Sequence, residues 1–304
     1  MANIVNVVVI GAGAVGQLMA SFLAEAHMHV TLVVRRQEQA HELQLKRLTR
    51  VQLDGTQTVH QIASTVELKT ISKPDLIIIA VKYRQLQNIY KQLLDVPKEV
   101  PLLFVQNGLA HFDEALRLPQ QTIAFCSVSF GAQIINLTTV QHRGMGLCKI
   151  GIARGNDGIF HQLLQMQNPL CPIEMVENAE QMLFEKAVLN CLINPLTAIL
   201  QIKNGELLTN KHAFFLMHTI YQELAEAFVD MQQTIPFSAV ITLCEKTGKN
   251  TSSMLADRMQ GRKSEVDTIV GAVLQKASAN GYSLPTLRTL YHQVLAMEES
   301  GEQY

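Results

Sequence analysis

The sequence carries almost no net charge: 25 Lys and Arg stand against 26 Asp and Glu, with pI about 6.8. Such a balance argues against an extended basic surface for nucleic acid. A CxxC pair is missing, since Cys126, Cys148, Cys171, Cys191 and Cys244 are scattered along the chain. Scattered thiols read as reduced and mostly buried in a cytoplasmic protein. The ten histidines include no HExxH or other ligand spacing. No metal site is signalled, and His27 and His29 merely flank the start of a strand. No apolar run reaches the roughly 18 residues of a membrane span. The opening stretch MANIVNVVVIGAG lacks a basic segment and flows into a strand, unlike a signal peptide. Internal repeats and low-complexity segments are also lacking.

What is present is a chain of 304 residues, 48% hydrophobic, enough for one large domain or two ordinary ones. Its first half alternates strands and helices. Apolar runs predict strands at Ile4–Ile10, Val30–Val34, Leu76–Val81 and Leu102–Val105. The run DLIIIAV is apolar at every position after its Asp, which suits a parallel strand covered on both faces. Helices are expected at Val15–Ala26 and Gln85–Leu94, giving the βαβ rhythm of a doubly wound sheet. Shorter runs at Ile123–Phe130, Thr138–His142 and Cys148–Ile152 are expected to complete the sheet at its edge.

Helical patterns dominate from about Asn178 onward: Ala179–Gln201, Ala213–Gln232, Pro236–Lys246, Lys263–Asn280 and Leu284–Glu299. The two-proline stretch NPLCPIE, Asn168 to Glu174, is expected to be the linker. The fold class is therefore α/β: a Rossmann-type doubly wound sheet over 1–170, followed by an all-helical domain over 171–304. The apolar C-terminal helices can bury within one chain or across a homodimer, and the sequence leaves both open.

VVVIGAGAVG places Gly11, Gly13 and Gly16 directly after an apolar strand and at a helix start. In that context the first glycine makes the tight turn, the second admits a pyrophosphate to the backbone, and the third packs helix on strand. The alternative is a purely structural glycine turn. The second strand ends in TLVVRR, where an NAD site usually has Asp or Glu. Arg35 and Arg36 stand there instead, and a guanidinium fork suits a phosphate. The expectation is NADP(H), with Arg35 on the 2′-phosphate; otherwise both arginines are solvated loop residues. Lys82 ends the Leu76–Val81 strand, and Asn107 with Gly108 follows the Leu102–Val105 strand. With the glycine loop these form a rim around the nicotinamide position.

EKAVLNCLINPLTAI, Glu185 to Ile199, reads as an apolar helix interrupted by Lys186, Asn190 and Asn194 at intervals of four. Such spacing puts the three on one stripe. The plain reading is a solvent face. Against it, the stripe has one charge and two short amides, and Pro195 predicts a kink beside Asn194.

GAGAVG, the VK of Lys82, the QNG of Asn107, KAVLNCLINPLTA with its downstream NGEL, and NTSSMLADRMQGRKSEVD, Asn250 to Asp267, together resemble the ketopantoate reductase (2-dehydropantoate 2-reductase) family. The resemblance runs through most of the chain in order. It implies NADPH-dependent reduction of ketopantoate to pantoate, a step of pantothenate and coenzyme A biosynthesis. By position, it implies Lys186 as proton donor and Glu265 as an acidic residue near the lysine and cofactor. Asn190, Asn194, Asn204, Asn250 and Ser253 match substrate contacts. Asn107 and Lys82 match the cofactor–substrate junction, and Ala132 a backbone cofactor contact. Gly11, Ala12, Gly13, Ala14, Val15 and Gly16 form the cofactor loop.

The expected partner is then a small 2-oxo acid, with no metal, nucleic acid or membrane. Family-like proteins act on other 2-oxo acids, so a reductase of another branched 2-oxo acid is the alternative. A dinucleotide-binding redox sensor without catalysis is a third reading, but it gives no reason to keep Lys186, Asn190, Asn194, Ser253 and Glu265 together.

Overall fold

The computed structural model describes residues 5–166 and 168–301. The chain divides into two compact units. One comprises Met1–Gln106 and Phe112–Met182, the other Asn107–His111 and Leu183–Tyr304.

The first unit begins with β1 (Asn6–Ile10), α1 (Ala14–Glu25), β2 (His29–Val33), α2 (Gln37–Lys46), β3 (Leu48–Val51) and β4 (Gln57–His60). It continues through β5 (Ala63–Thr65), β6 (Leu76–Ile79), α3 (Leu86–Leu93), β7 (Leu102–Phe104), α4 (Phe112–Ala115) and β8 (Ile123–Val128). It ends with β9 (Gly131–Ile134), β10 (Thr139–Gly144), β11 (Cys148–Arg154), α5 (Gly158–Leu164) and β12 (Ile173–Val176). The large sheet has the order β12-β11-β8-β7-β6-β1-β2-β5. Its pairs are parallel except β8 with β11. Every residue of β6 is fully buried, as the unbroken apolar run requires.

Two features depart from the sequence reading. A second sheet of order β4-β3-β10-β9 stands apart from the large one, so the Thr138–His142 run does not extend the main sheet. Its strands LTRV and QTVH are short and polar. Arg50 within β3 is fully buried, with Glu25 accepting from it at 2.8 and 2.9 Å and Phe22 stacked under it. The second departure is at NPLCPIE. Ile173–Val176 pairs in parallel with β11, and Cys148 N–H donates to Pro172 O (2.9 Å). An apolar run meets an open strand edge there, so the chain stays with the first unit as far as Met182.

The helical unit holds α6 (Ala179–Leu200), whose first turn lies before the boundary, then α7 (Glu206–Thr209), α8 (Lys211–Ala227), α9 (Met231–Thr234) and α10 (Phe237–Lys246). There follow α11 (Ser253–Met259), a π-helical turn at Asp267–Gly271, α12 (Ala272–Ala279) and α13 (Pro285–Gly301). Caps fix several starts: Asn210 accepts from the N–H groups of His212 and Ala213, and Ser252 from that of Leu255. Pro195 does not end α6, which continues to Leu200. By length and composition α6 is long and apolar enough to cross a membrane, although charged residues break the run in sequence; most of it is buried inside the protein. Val188, Leu192 and Leu196 belong to the helical core. All five cysteines are buried and none is in a disulfide.

Candidate active site

The glycine loop is built by three different requirements. Gly11 has φ +110°, and a Cβ there would meet Ala80 O at 2.8 Å, so only glycine fits the turn. Gly16 is buried in α1, and a Cβ there would lie 1.9 Å from Gly11 O. Gly13 is exposed, and a Cβ on it would meet nothing within 4 Å. It caps α1 without any side-chain hydrogen bond. An open glycine at an uncapped helix start is a cradle that a Cβ would fill, and it suits a dinucleotide pyrophosphate. Ala12, Ala14 and Val15 complete the loop. Gln17 follows it, fully buried, and donates to Ala12 O and Leu137 O, both at 3.2 Å. That bond ties the loop to the β9–β10 hairpin, where Ala132 lies.

Neighbouring parallel strands bring the next candidates to the same sheet edge. Ile10 pairs with both Val33 and Ile79, so Gly11, Arg35 and Lys82 follow adjacent strand ends. Arg35 and Lys82 are exposed. Arg36, not Arg35, approaches an acid: Glu38, 4.0 Å away at the surface. Gln106 is buried and donates to Ile79 O (2.8 Å) and Val81 O (2.9 Å), holding the backbone before Lys82. Tyr83 donates to Glu114 Oε1 at 2.7 Å; burial, helped by Glu114, pushes its pKa up to about 12.

In the helical unit the polar stripe of α6 is not a solvent face. Lys186 and Asn190 are half-buried and Asn194 is only 4% exposed. Asn194 Nδ2 donates to Ser253 Oγ at a long 3.5 Å. Beneath this contact, Thr197 Oγ1 lies 2.7 Å from Ser252 Oγ and bonds the carbonyls of Ile193 and Asn194. The Arg258 guanidinium bonds the carbonyls of Ala198 and Ile199. These contacts fasten α11 to the last turns of α6. Asn204 is buried; its N–H donates to Asn250 O (3.2 Å) and its Nδ2 to Thr247 Oγ1 (3.0 Å). Asn250 itself is exposed.

Asn107 Nδ2 donates to Glu265 Oε2 at 3.0 Å, across 158 residues of sequence. The next residue makes this possible. Gly108 has φ +85°, and a Cβ there would sit 2.1 Å from Thr268 O. Leu109 N–H donates to that same carbonyl at 3.0 Å. Thr268 lies in the π-helical turn, a form that often marks functional sites. Arg262 grips Asp257 Oδ1 at 2.8 Å just before Glu265.

The helical-unit candidates thus fall into bonded groups: Asn107 with Glu265, Asn194 with Ser253, and Asn204 with Asn250. Lys186 and Asn190 are joined to the second group through α6. Thr247, Gln106, Gln17, Ser252 and Thr197 were not legible as functional candidates. Ser252 and Gln106 sit within quoted motifs, SSML and QNG, but nothing in the letters separates a supporting side chain from one that meets a ligand. Among the described residues no group of three or more His, Cys, Asp or Glu could hold a metal ion.

Residues 7–155 match the family "Ketopantoate reductase PanE/ApbA", and residues 178–298 match "Ketopantoate reductase PanE/ApbA C terminal". The 2-dehydropantoate 2-reductase of Listeria monocytogenes serovar 1/2a is 37% identical over 302 residues, 98% of each chain. The crystal structure of a probable 2-dehydropantoate 2-reductase from Bacillus subtilis superposes with TM-score 0.84 at 31% identity, covering 96% of this chain and 99% of that one. A ternary structure of D-mandelate dehydrogenase with NADH and anilino(oxo)acetate has the same TM-score, 0.84, at 23% identity, covering 97% and 99%; that likeness is one of fold. By both halves of its sequence and by its full-length relatives, this chain belongs to the ketopantoate reductase family.

Proposed function

We propose that this protein reduces 2-dehydropantoate (ketopantoate) to pantoate with NADP(H). The observation that carries the reading is the grouping in the helical unit: a half-buried lysine and two amides on one stripe of α6, with Asn194 meeting Ser253 of a segment 59 residues away. The relatives named 2-dehydropantoate 2-reductase support it.

The loop Gly11–Gly16 would hold the pyrophosphate, Arg35 the 2′-phosphate, and Lys82 and Ala132 further parts of the dinucleotide. When bound there, the dinucleotide would supply the hydride that the carbonyl carbon of the 2-oxo acid takes up. Negative charge then develops on the carbonyl oxygen of the substrate. The Lys186 ammonium neutralises that charge and gives the oxygen its proton. Asn190 and Asn194 bind substrate oxygens without adding charge beside the lysine, and Asn250 and Ser253 bind from the neighbouring segment. Glu265, held by Asn107, is the acidic partner assigned to Lys186. The terminal hydroxyl of ketopantoate is a handle for an amide such as Asn194 or Asn204. The D-mandelate dehydrogenase fold gives a second reading, since this fold accommodates other oxo acids: the preferred substrate is then another branched 2-oxo acid.

Lys186→Ala tests the chemistry. Turnover should fall by roughly 10²–10⁴, the range for a positioned acid, while NADPH affinity measured by fluorescence titration stays within about twofold of wild type. Near-wild-type turnover would remove Lys186 from the reaction.

A further inference from the structure

Two segments distant in sequence lie side by side in the helical unit. Asn204 N–H donates to Asn250 O (3.2 Å), and Gly205 N–H donates to Gly248 O (3.1 Å). A Cβ on Gly205 would meet Gly248 Cα at 2.8 Å, so the approach is close. The backbone that carries the Asn204 side chain is therefore fixed. One neighbour then orients its amide. Thr247 Oγ1 donates to Leu243 O, one helical turn back, at 2.7 Å. A hydroxyl has a single proton, so only lone pairs remain for Asn204, which meets them with Nδ2 at 3.0 Å. Turning the amide over would set two oxygens in contest for that proton. One hydrogen bond would survive where the present arrangement makes two, and such network counting is what assigns an amide. Asn204 Oδ1 is consequently directed away from Thr247, buried and without a donor. Buried acceptors are normally paired, and an exception calls for a group that brings the proton.

We propose that Thr247 sets the hydrogen-bond polarity of this subsite. By engaging the amide nitrogen, it makes Asn204 an acceptor toward the substrate, so the group recognised there is a hydroxyl and not a carboxylate. The inference rests on the reading that the substrate is a hydroxylated 2-oxo acid. It also separates two amides that the reading left equivalent: both donate Nδ2 to a neighbouring hydroxyl, but of the two it is the Oδ1 of Asn204 that is buried without a donor. A carboxylate would be repelled by that oxygen, and a methyl group would leave it unpaired. Thr247 is a positioning residue that acts through Asn204.

The test compares kcat/KM for 2-dehydropantoate and for 3,3-dimethyl-2-oxobutanoate, which has the same carbon skeleton without the hydroxyl. Wild type should prefer the hydroxylated acid by roughly 10²-fold or more, as sites built to bind a hydroxyl do. Thr247→Val keeps the shape but lets the amide turn. Its preference should fall at least about tenfold, the equivalent of one such hydrogen bond, through loss on 2-dehydropantoate alone. Thr247→Ser should retain the wild-type preference. A purely structural role would lower both substrates alike and leave their ratio intact, and that result in Thr247→Val overturns the proposal. So does a collapse of the ratio in Thr247→Ser, which would assign the effect to packing. A wild type indifferent to the hydroxyl overturns the substrate reading beneath, and the subsite with it. If the valine variant is too unstable to assay, Thr247→Cys, whose thiol is a weak acceptor, is measured against the same outcomes.

Discussion

Gly108→Ala should be among the most damaging single-methyl additions in the helical unit. Its φ of +85° strains any L side chain, at about 1–2 kcal/mol. The new Cβ would also lie 2.1 Å from Thr268 O. Relief requires the Asn107–His111 segment to retreat by about 1 Å, since carbon and oxygen tolerate no closer than roughly 3 Å. That retreat weakens the Leu109 N–H to Thr268 O bond, about 1 kcal/mol, and the charge-assisted Asn107–Glu265 bond, about 1.5–3 kcal/mol. With both bonds lost the sum is about 3.5–6 kcal/mol in stability. A misplacement of this size can also cost about 10²-fold in turnover. Gly55→Ala is the control: φ there is +86°, but a Cβ would meet nothing within 4 Å. It should lose about 1 kcal/mol and no activity. Thermal melts and steady-state kinetics on both variants read the difference. If Gly108→Ala behaved like Gly55→Ala, the docking of Asn107 through Gly108 would carry neither stability nor function.

Gly13→Ala should melt like wild type, because its Cβ meets nothing, yet weaken NADPH binding by at least about tenfold, or 1.4 kcal/mol, in a fluorescence titration. Undiminished affinity would take Gly13 away from the pyrophosphate. His111 is fully buried, and burial holds its pKa down to about 3, below the ordinary 6.5. The unfolded chain therefore binds the extra proton first. The contribution to stability is complete above the unfolded pKa and declines as pH falls toward the folded one, by up to about 1.4 kcal/mol per pH unit. His111→Gln should flatten the melting profile between about pH 4 and 6; an unchanged slope would place the acid sensitivity in other groups.

The parts of this fold that could be read from sequence are those where one local rule suffices. β6, β7 and Val7–Ile10 of β1 are continuous apolar runs, and β2 is interrupted inside only at Thr31, because both faces of the large sheet are covered. The stripe Lys186, Asn190 and Asn194 follows from helical period alone. In the second sheet the run at Thr138–His142 was legible as a strand, but its place was not, because the signal of its neighbours is non-local: β3 buries Arg50, and Glu25, Ser21 and Phe22, far back in the chain, make that burial tolerable. Ile173–Val176 looked like the end of a proline-rich linker because an edge strand owes its existence to the neighbour it pairs with. In the candidate site, the asparagines and Glu265 came with the motifs. Their supports did not. Nothing local marks Thr247 beside Asn204, where the outcome depends on one hydroxyl proton, or Gln106 as the clamp on Ile79 and Val81, where two amide protons meet carbonyls that only the fold brings together.

The most direct test of the account mixes the purified protein with NADPH or NADH and a panel of 2-oxo acids, including 2-dehydropantoate and 2-oxoisovalerate, and follows loss of the reduced nicotinamide absorbance. The highest kcat/KM is expected for 2-dehydropantoate with NADPH, since Arg35 is assigned to the 2′-phosphate and an amide to the terminal hydroxyl. Equal or better reduction of 2-oxoisovalerate, which lacks the hydroxymethyl group, would contradict it and give the site to another branched 2-oxo acid.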